Sequence, residues 1–171
     1  IKCLVACGRL TEQKNYPALL RVFKQIIKKN DSCRLLILGQ GPLLNRMKNY
    51  ALELGVNDKL EFLGFKKNVL GIMKKSDIFV LTSKWEGFGN VIVESLSVGT
   101  PVVAFNCKGG PKEIIKDKAL GELVENFDER IMSEVILQSL NKNYNTDKII
   151  NYFNKFIVRR ITNQILNEII K

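Results

Sequence analysis

The chain has 171 residues, 46% of them hydrophobic and 26% charged, the composition of one globular domain with room for a full core. No run approaches about 20 consecutive apolar residues, so no membrane span is read, and the absence of histidine removes the commonest general base and zinc ligand together. Lys and Arg number 27 against 17 Asp and Glu, a formal charge of +10 that favours anionic partners, although the cations are scattered and match no nucleic-acid-binding motif.

Short β-rich runs alternate with longer helical segments. The strands are expected at Cys3–Cys7, Arg34–Leu38, Leu60–Leu63, Asp77–Thr82, Pro101–Phe105 and Leu120–Val124. Between them helices are expected at Tyr16–Lys29, Leu43–Leu54, Val69–Lys75, Asn90–Val98 and Lys112–Lys116. The first helix carries Leu19, Leu20, Phe23, Ile26 and Ile27 at 3–4 spacing, one apolar stripe for a sheet. Strands apolar throughout and separated by helices imply parallel strands covered on both faces. The fold class is therefore α/β: a doubly wound, Rossmann-like parallel sheet of about six strands in a single domain. Two further helices, Glu129–Leu140 and Lys148–Ile170, close the domain, joined by the polar stretch 144–147. Cys3, Cys7, Cys33 and Cys107 form no C-x-x-C pair and lie in or beside apolar runs, so they read as buried free thiols.

Ligands of an open parallel sheet bind beyond the carboxyl ends of its strands, so the connections there hold the candidates. The first is Gly8-Arg9-Leu10-Thr11-Glu12-Gln13-Lys14, where two cations beside a glycine suit a phosphate: Arg bidentately, Lys as a point charge. The second, Gly39-Gln40-Gly41-Pro42, lacks the third glycine of the dinucleotide fingerprint, and a tight turn alone would explain it. The fourth, Trp85-Glu86-Gly87-Phe88-Gly89-Asn90, is the most informative. Gly87 and Gly89 let the backbone approach a ligand, and a helix starting near Asn90 presents free N–H groups and a positive dipole end. Glu86 precedes that helix and Glu94 lies one turn inside it, about 6 Å from its start, so the carboxylates flank the anion site and could accept from sugar hydroxyls. Exposed loop cations and solvated helix-terminal carboxylates are the plainer reading of the same four residues. Trp85 and Phe88 could stack on a ring or simply pack. Asp77, at the amino end of its strand, is expected to hydrogen-bond locally. Without an Asp-x-Asp pair or a His/Cys/Asp cluster, phosphate charge would fall to Arg9, Lys14 and backbone amides.

Gly8-Arg9-Leu10 with Lys14, Leu38-Gly39-Gln40-Gly41-Pro42, Phe62-Leu63-Gly64, Ser76-Asp77, Glu86-Gly87-Phe88-Gly89-Asn90-Val91-Ile92-Val93-Glu94 and Gly99-Thr100-Pro101-Val102-Val103-Ala104 follow one another in an order that resembles the donor-binding half of retaining family 4 glycosyltransferases of GT-B fold. The resemblance runs from Gly8 to about Val124, and the E-x7-E element is its most specific part. It implies that Arg9 and Lys14 bind the donor diphosphate and, with Glu86 on the transferred sugar, form the catalytic set. Gly8, Gly39, Gly87, Phe88, Gly89, Asn90 and Val91 would line the donor site, Phe62 and Leu63 would meet the nucleobase through their backbone, and Glu94 would hold the ribose.

The implied donor is an NDP-sugar, a UDP-hexose foremost, with no metal and no other cofactor. Lipid-linked or polysaccharide acceptors in cell-surface glycan or glycolipid synthesis are implied, in the cytoplasm or at its membrane face with peripheral contact, and no nucleic acid. A two-domain enzyme is also implied, with this chain as its carboxyl-terminal half, an amino-terminal acceptor domain missing, and the segment 146–171 returning toward it. Alone, the chain is then expected to bind donor but transfer little, and part of the apolar stripe of its final helix would be exposed. The other reading of the same cleft is a non-catalytic nucleotide-binding or regulatory module.

Overall fold

The computed structural model describes residues 1–169, with the side chains of 159–161 and 163–169 left aside. Six strands form one sheet: β1 (Lys2–Cys7), β2 (Cys33–Leu38), β3 (Leu60–Gly64), β4 (Ile78–Leu81), β5 (Val102–Phe105) and β6 (Gly121–Val124). Their spatial order is β3-β2-β1-β4-β5-β6 and every pairing is parallel. The doubly wound α/β class read from the sequence is the observed one.

The helices are α1 (Tyr16–Lys29), α2 (Leu44–Leu54), α3 (Val69–Lys74), α4 (Asn90–Ser97), α5 (Pro111–Ile114), α6 (Glu129–Asn141) and α7 (Thr146–Ile169). Strand alternation divides the core in two. Leu4, Ala6, Leu35, Ile37, Val80 and Val103 face α1 and α6 on one side. Val5, Phe79, Leu81, Val102 and Ala104 face α4 and the first turns of α7 on the other. The amphipathic stripe of α1 is buried as expected, with Leu19, Leu20, Phe23 and Ile26 all at 2% exposure or less.

The boundaries differ from the sequence reading where local chemistry intervenes. Helix α5 begins one residue early, at Pro111, whose fixed φ suits a first helical position, and it stops at Ile114 instead of Lys116. The polar join at 144–147 is shorter than read, because the Asn145 side chain accepts the Lys148 N–H at 2.9 Å and starts α7 at Thr146. Ile170, the expected end of that helix, lies outside the described residues. Tyr152, Phe153 and Phe156 of α7 pack against the second core while Val158 is 64% exposed, so its apolar stripe is only partly covered. All four cysteines are free thiols, but only Cys33 and Cys107 are buried; Cys3 and Cys7 are half-buried.

Sequence neighbours part company in space between β1 and β4: β1 continues to β2 on one side, whereas β4 continues to β5 on the other. The connections leaving the carboxyl ends of β1 and β4 therefore diverge and open a crevice between them, the place where a doubly wound sheet takes its ligand.

Candidate functional site

Two loops meet above that crevice. The loop from β1 to α1 turns through a short 3-10 segment, Glu12–Lys14, and reaches α1 through Asn15 in the left-handed conformation. The loop from β4 to α4 passes Thr82–Phe88 and enters the helix at Gly89, whose φ of 87° is open to glycine and costly for most other residues. Four hydrogen bonds stitch them together: Lys84 N–H to Gln13 O at 2.8 Å, the Gln13 side-chain amide to Trp85 O at 2.9 Å, and the Thr82 hydroxyl to Lys14 O and Asn15 O at 3.1 and 3.3 Å.

The stitching brings Lys14 and Glu86 into contact, with Nζ 2.7 Å from Oε1 and side chains only 13% and 7% exposed. A third loop, from β5, supports Glu86 from behind. Glu86 N–H donates to Lys108 O at 2.9 Å and Gly110 N–H to Gly87 O at 3.2 Å. A Cβ at residue 110 would overlap the Phe88 carbonyl, which is why glycine stands there.

Glu94, half-buried in α4, faces the same region. Burial pushes the Cys7 thiol, at the end of β1, up to about 11; the negative charge of Glu94 adds to the rise and Lys14 opposes it. Burial raises the Cys107 thiol as well, with Glu86 adding to it. The N–H groups of Gly87, Gly89, Asn90 and Val91 have no acceptor among the described residues, so they are available at the positive end of α4. One buried cation, two carboxylates and a set of free amides thus occupy one crevice, an arrangement able to hold an anion with hydroxyl acceptors beside it.

The other predicted residues are distributed around this centre. Gly8 and Arg9 belong to the β1 loop, and the Arg9 side chain is exposed. Gly39 ends β2 with its backbone packed against Gly8. Phe62 and Leu63 are strand residues of β3, their side chains packed against the first and second core respectively. Phe88 packs against the second core, whereas Trp85 is 50% exposed. Asp77 does act locally, accepting from Cys3 N–H at 2.7 Å and Lys2 Nζ at 3.1 Å. Two features were not read from the sequence. Lys14 and Glu86, given separate roles there, are paired; and Gln13, a plain polar loop residue by its sequence neighbours, is the clasp between the loops. Among the described residues no group of three or more His, Cys, Asp or Glu is arranged to hold a metal ion. No described helix is long and apolar enough to cross a membrane.

Residues 2–156 match the family model of glycosyl transferases group 1. The chain belongs to that family. It is 35% identical over 166 residues to the UDP-Gal:alpha-D-GlcNAc-diphosphoundecaprenol alpha-1,3-galactosyltransferase of Escherichia coli, covering 90% of this chain and 42% of that protein. It is 36% identical over 131 residues to the N-acetylgalactosamine-N,N'-diacetylbacillosaminyl-diphospho-undecaprenol 4-alpha-N-acetylgalactosaminyltransferase of Campylobacter jejuni, covering 77% and 35%. These relatives transfer sugars by their names, and this chain spans less than half the length of either. Among solved structures, a lipopolysaccharide outer core galactosyltransferase superposes with a TM-score of 0.85 at 22% identity, over 98% of this chain and 49% of that one. The C-terminal domain of a glycosyl transferase group 1 family protein from Francisella tularensis superposes with a TM-score of 0.76 at 21% identity, over 94% and 86%. The fold is thus that of GT-B glycosyltransferase neighbours.

Proposed function

We propose that this chain is the donor-binding domain, and the carboxyl-terminal half, of a retaining family 4 glycosyltransferase that moves a hexose-type sugar from a UDP-sugar to a lipid-linked or polysaccharide acceptor. The observation that carries the reading is the buried Lys14–Glu86 pair set beside the free N–H groups at the start of α4. A pair so little exposed gives up hydration that mutual attraction alone rarely restores. A diphosphate entering beside it offers Lys14 a second anionic partner, and a sugar offers Glu86 hydroxyl donors.

In this reading the diphosphate lies between Arg9, Lys14 and the amides of Gly87 to Val91, with no metal required. Gly8 and Gly39 form the floor, the backbone of Phe62 and Leu63 meets the nucleobase, and Glu94 holds the ribose. Breaking the anomeric C–O bond leaves positive charge on the sugar and negative charge on the β-phosphate. Preorganised cations and amides at that phosphate stabilise the charge as it develops, and each is commonly worth on the order of 100-fold in rate, about 2.7 kcal/mol. The acceptor would be supplied by an amino-terminal domain toward which α7 returns, working in the cytoplasm or at its membrane face.

Calorimetry of the chain against UDP, GDP and ADP, with Glu94→Ala as control, tests the site and names the base together. UDP binding that Glu94→Ala weakens supports the reading; no binding of any of the three contradicts it. Robust glycosyl transfer by the 171-residue chain alone would contradict the need for a second domain.

A further inference from the structure

Where it leaves the sheet, the β1 loop has a backbone donor with no acceptor among the described residues. Gly8 N–H donates to Leu38 O at 3.0 Å and Leu10 N–H to Gln40 O at 2.9 Å, both on the β2 side, but Arg9 N–H between them has no acceptor among the described residues. The other end of the same peptide is fixed. The Tyr16 hydroxyl donates to Gly8 O at 3.0 Å, and Gly39 lies so close to that oxygen that a Cβ there would overlap it. A trans peptide is planar, with its C=O and N–H pointing in opposite directions. With the carbonyl held against β2, Arg9 N–H is turned toward β4, the side of Lys14, Glu86 and the start of α4.

Tyr16 suits this task. It is 2% exposed at the first position of α1, so its ring cannot swing, and burial pushes its phenol upward, so the hydroxyl remains a donor at neutral pH. Resting on the donor-site reading above, we infer that Arg9 offers its backbone N–H as well as its guanidinium to the donor diphosphate, and that Tyr16 is the positioning residue that aims this N–H. A tyrosine that served only to pack α1 would affect all ligands alike. One that sets the Arg9 peptide affects those bearing phosphate.

The test is an amide-resolved NMR titration of the 171-residue chain with UDP and, separately, uridine. UDP is expected to shift the Arg9 amide together with those of Asn90 and Val91, while uridine leaves Arg9 unmoved. Tyr16→Phe is expected to weaken UDP about tenfold, part of what a hydrogen bond to a charged group is worth, to shrink the Arg9 shift, and to leave uridine affinity unchanged. The inference is overturned, with the donor site intact, if UDP moves Asn90 and Val91 but not Arg9. It is also overturned if Tyr16→Phe binds UDP as the parent does or loses uridine equally. Should Tyr16→Phe not fold, the Arg9 shift in the parent chain decides alone. If UDP shifts none of these amides, the donor-site reading fails and this inference fails with it.

Discussion

The two edges of the sheet each hold a lysine paired with a carboxylate, and the pairs are built differently. At the amino edge Lys2 meets Asp77 at 3.1 Å with 42% and 33% of the side chains exposed. Beside it opens a cavity of about 390 Å³, lined in part by Lys74, Thr100, Lys142 and Tyr144. At the carboxyl edge Lys14 meets Glu86 at 2.7 Å with 13% and 7% exposed. An exposed pair is worth at most about 1 kcal/mol, and the Lys2–Asp77 pair completes a local cap on Cys3. A buried pair costs desolvation, and here three loops from three strands converge to keep it. Concavity alone would point to the amino edge. Charge held out of water by converging strand ends points to the carboxyl edge, where the donor site is proposed.

Substitutions at the two edges should therefore behave differently. The largest effect is expected from Lys14→Ala, which should weaken UDP by one to two orders of magnitude, about 1.5–3 kcal/mol for a charged hydrogen bond. Asp77→Ala should leave UDP affinity unchanged; calorimetry of both variants reads the difference, and equal losses would erase it. Next is Gly110→Ala, which forces a Cβ onto the Phe88 carbonyl. Denaturant unfolding should show a loss of about 1–3 kcal/mol, the usual cost of overpacking.

A smaller effect concerns pH. The Cys7 thiol rises from 9.0 to about 11 on folding, through burial first and the charge of Glu94 second. Both folded and unfolded chains keep this proton below pH 9; above it the unfolded chain ionises first, so stability should fall between pH 9 and 11. Cys3, Cys33, Cys107 and Tyr16 are raised as well, so Cys7→Ala should make the decline shallower without abolishing it, as thermal unfolding across that range would show. Smallest is Lys2→Ala, expected to change stability by about 0.2–1 kcal/mol in the same unfolding assay.

The sheet was legible because β1, β2, β4 and β5 are short, largely apolar runs and α1 repeats its apolar residues at helical spacing; those signals are local. Helix ends were less so. Asn145 starts α7 through a side-chain hydrogen bond, and a lone Asn in a polar stretch does not announce which way it will bond. Of the candidate site, the residues beyond the strand ends were readable from glycine, charge and helix-start chemistry. The pairing of Lys14 with Glu86 was not, because the two lie 72 positions apart in the chain and meet only when β1 and β4 become neighbours. The side chains of Gln13 and Tyr16 each donate to a backbone oxygen, Trp85 O and Gly8 O, and nothing in a residue's own neighbourhood signals a bond of that kind.

A crystal structure of the chain with UDP would show which edge of the sheet holds the diphosphate. The expected result places the diphosphate between Lys14 Nζ and the N–H groups of Gly89 to Val91, with the ribose hydroxyls on Glu94. UDP seated in the amino-edge cavity beside Lys2 and Asp77, or a diphosphate away from the start of α4, would contradict it.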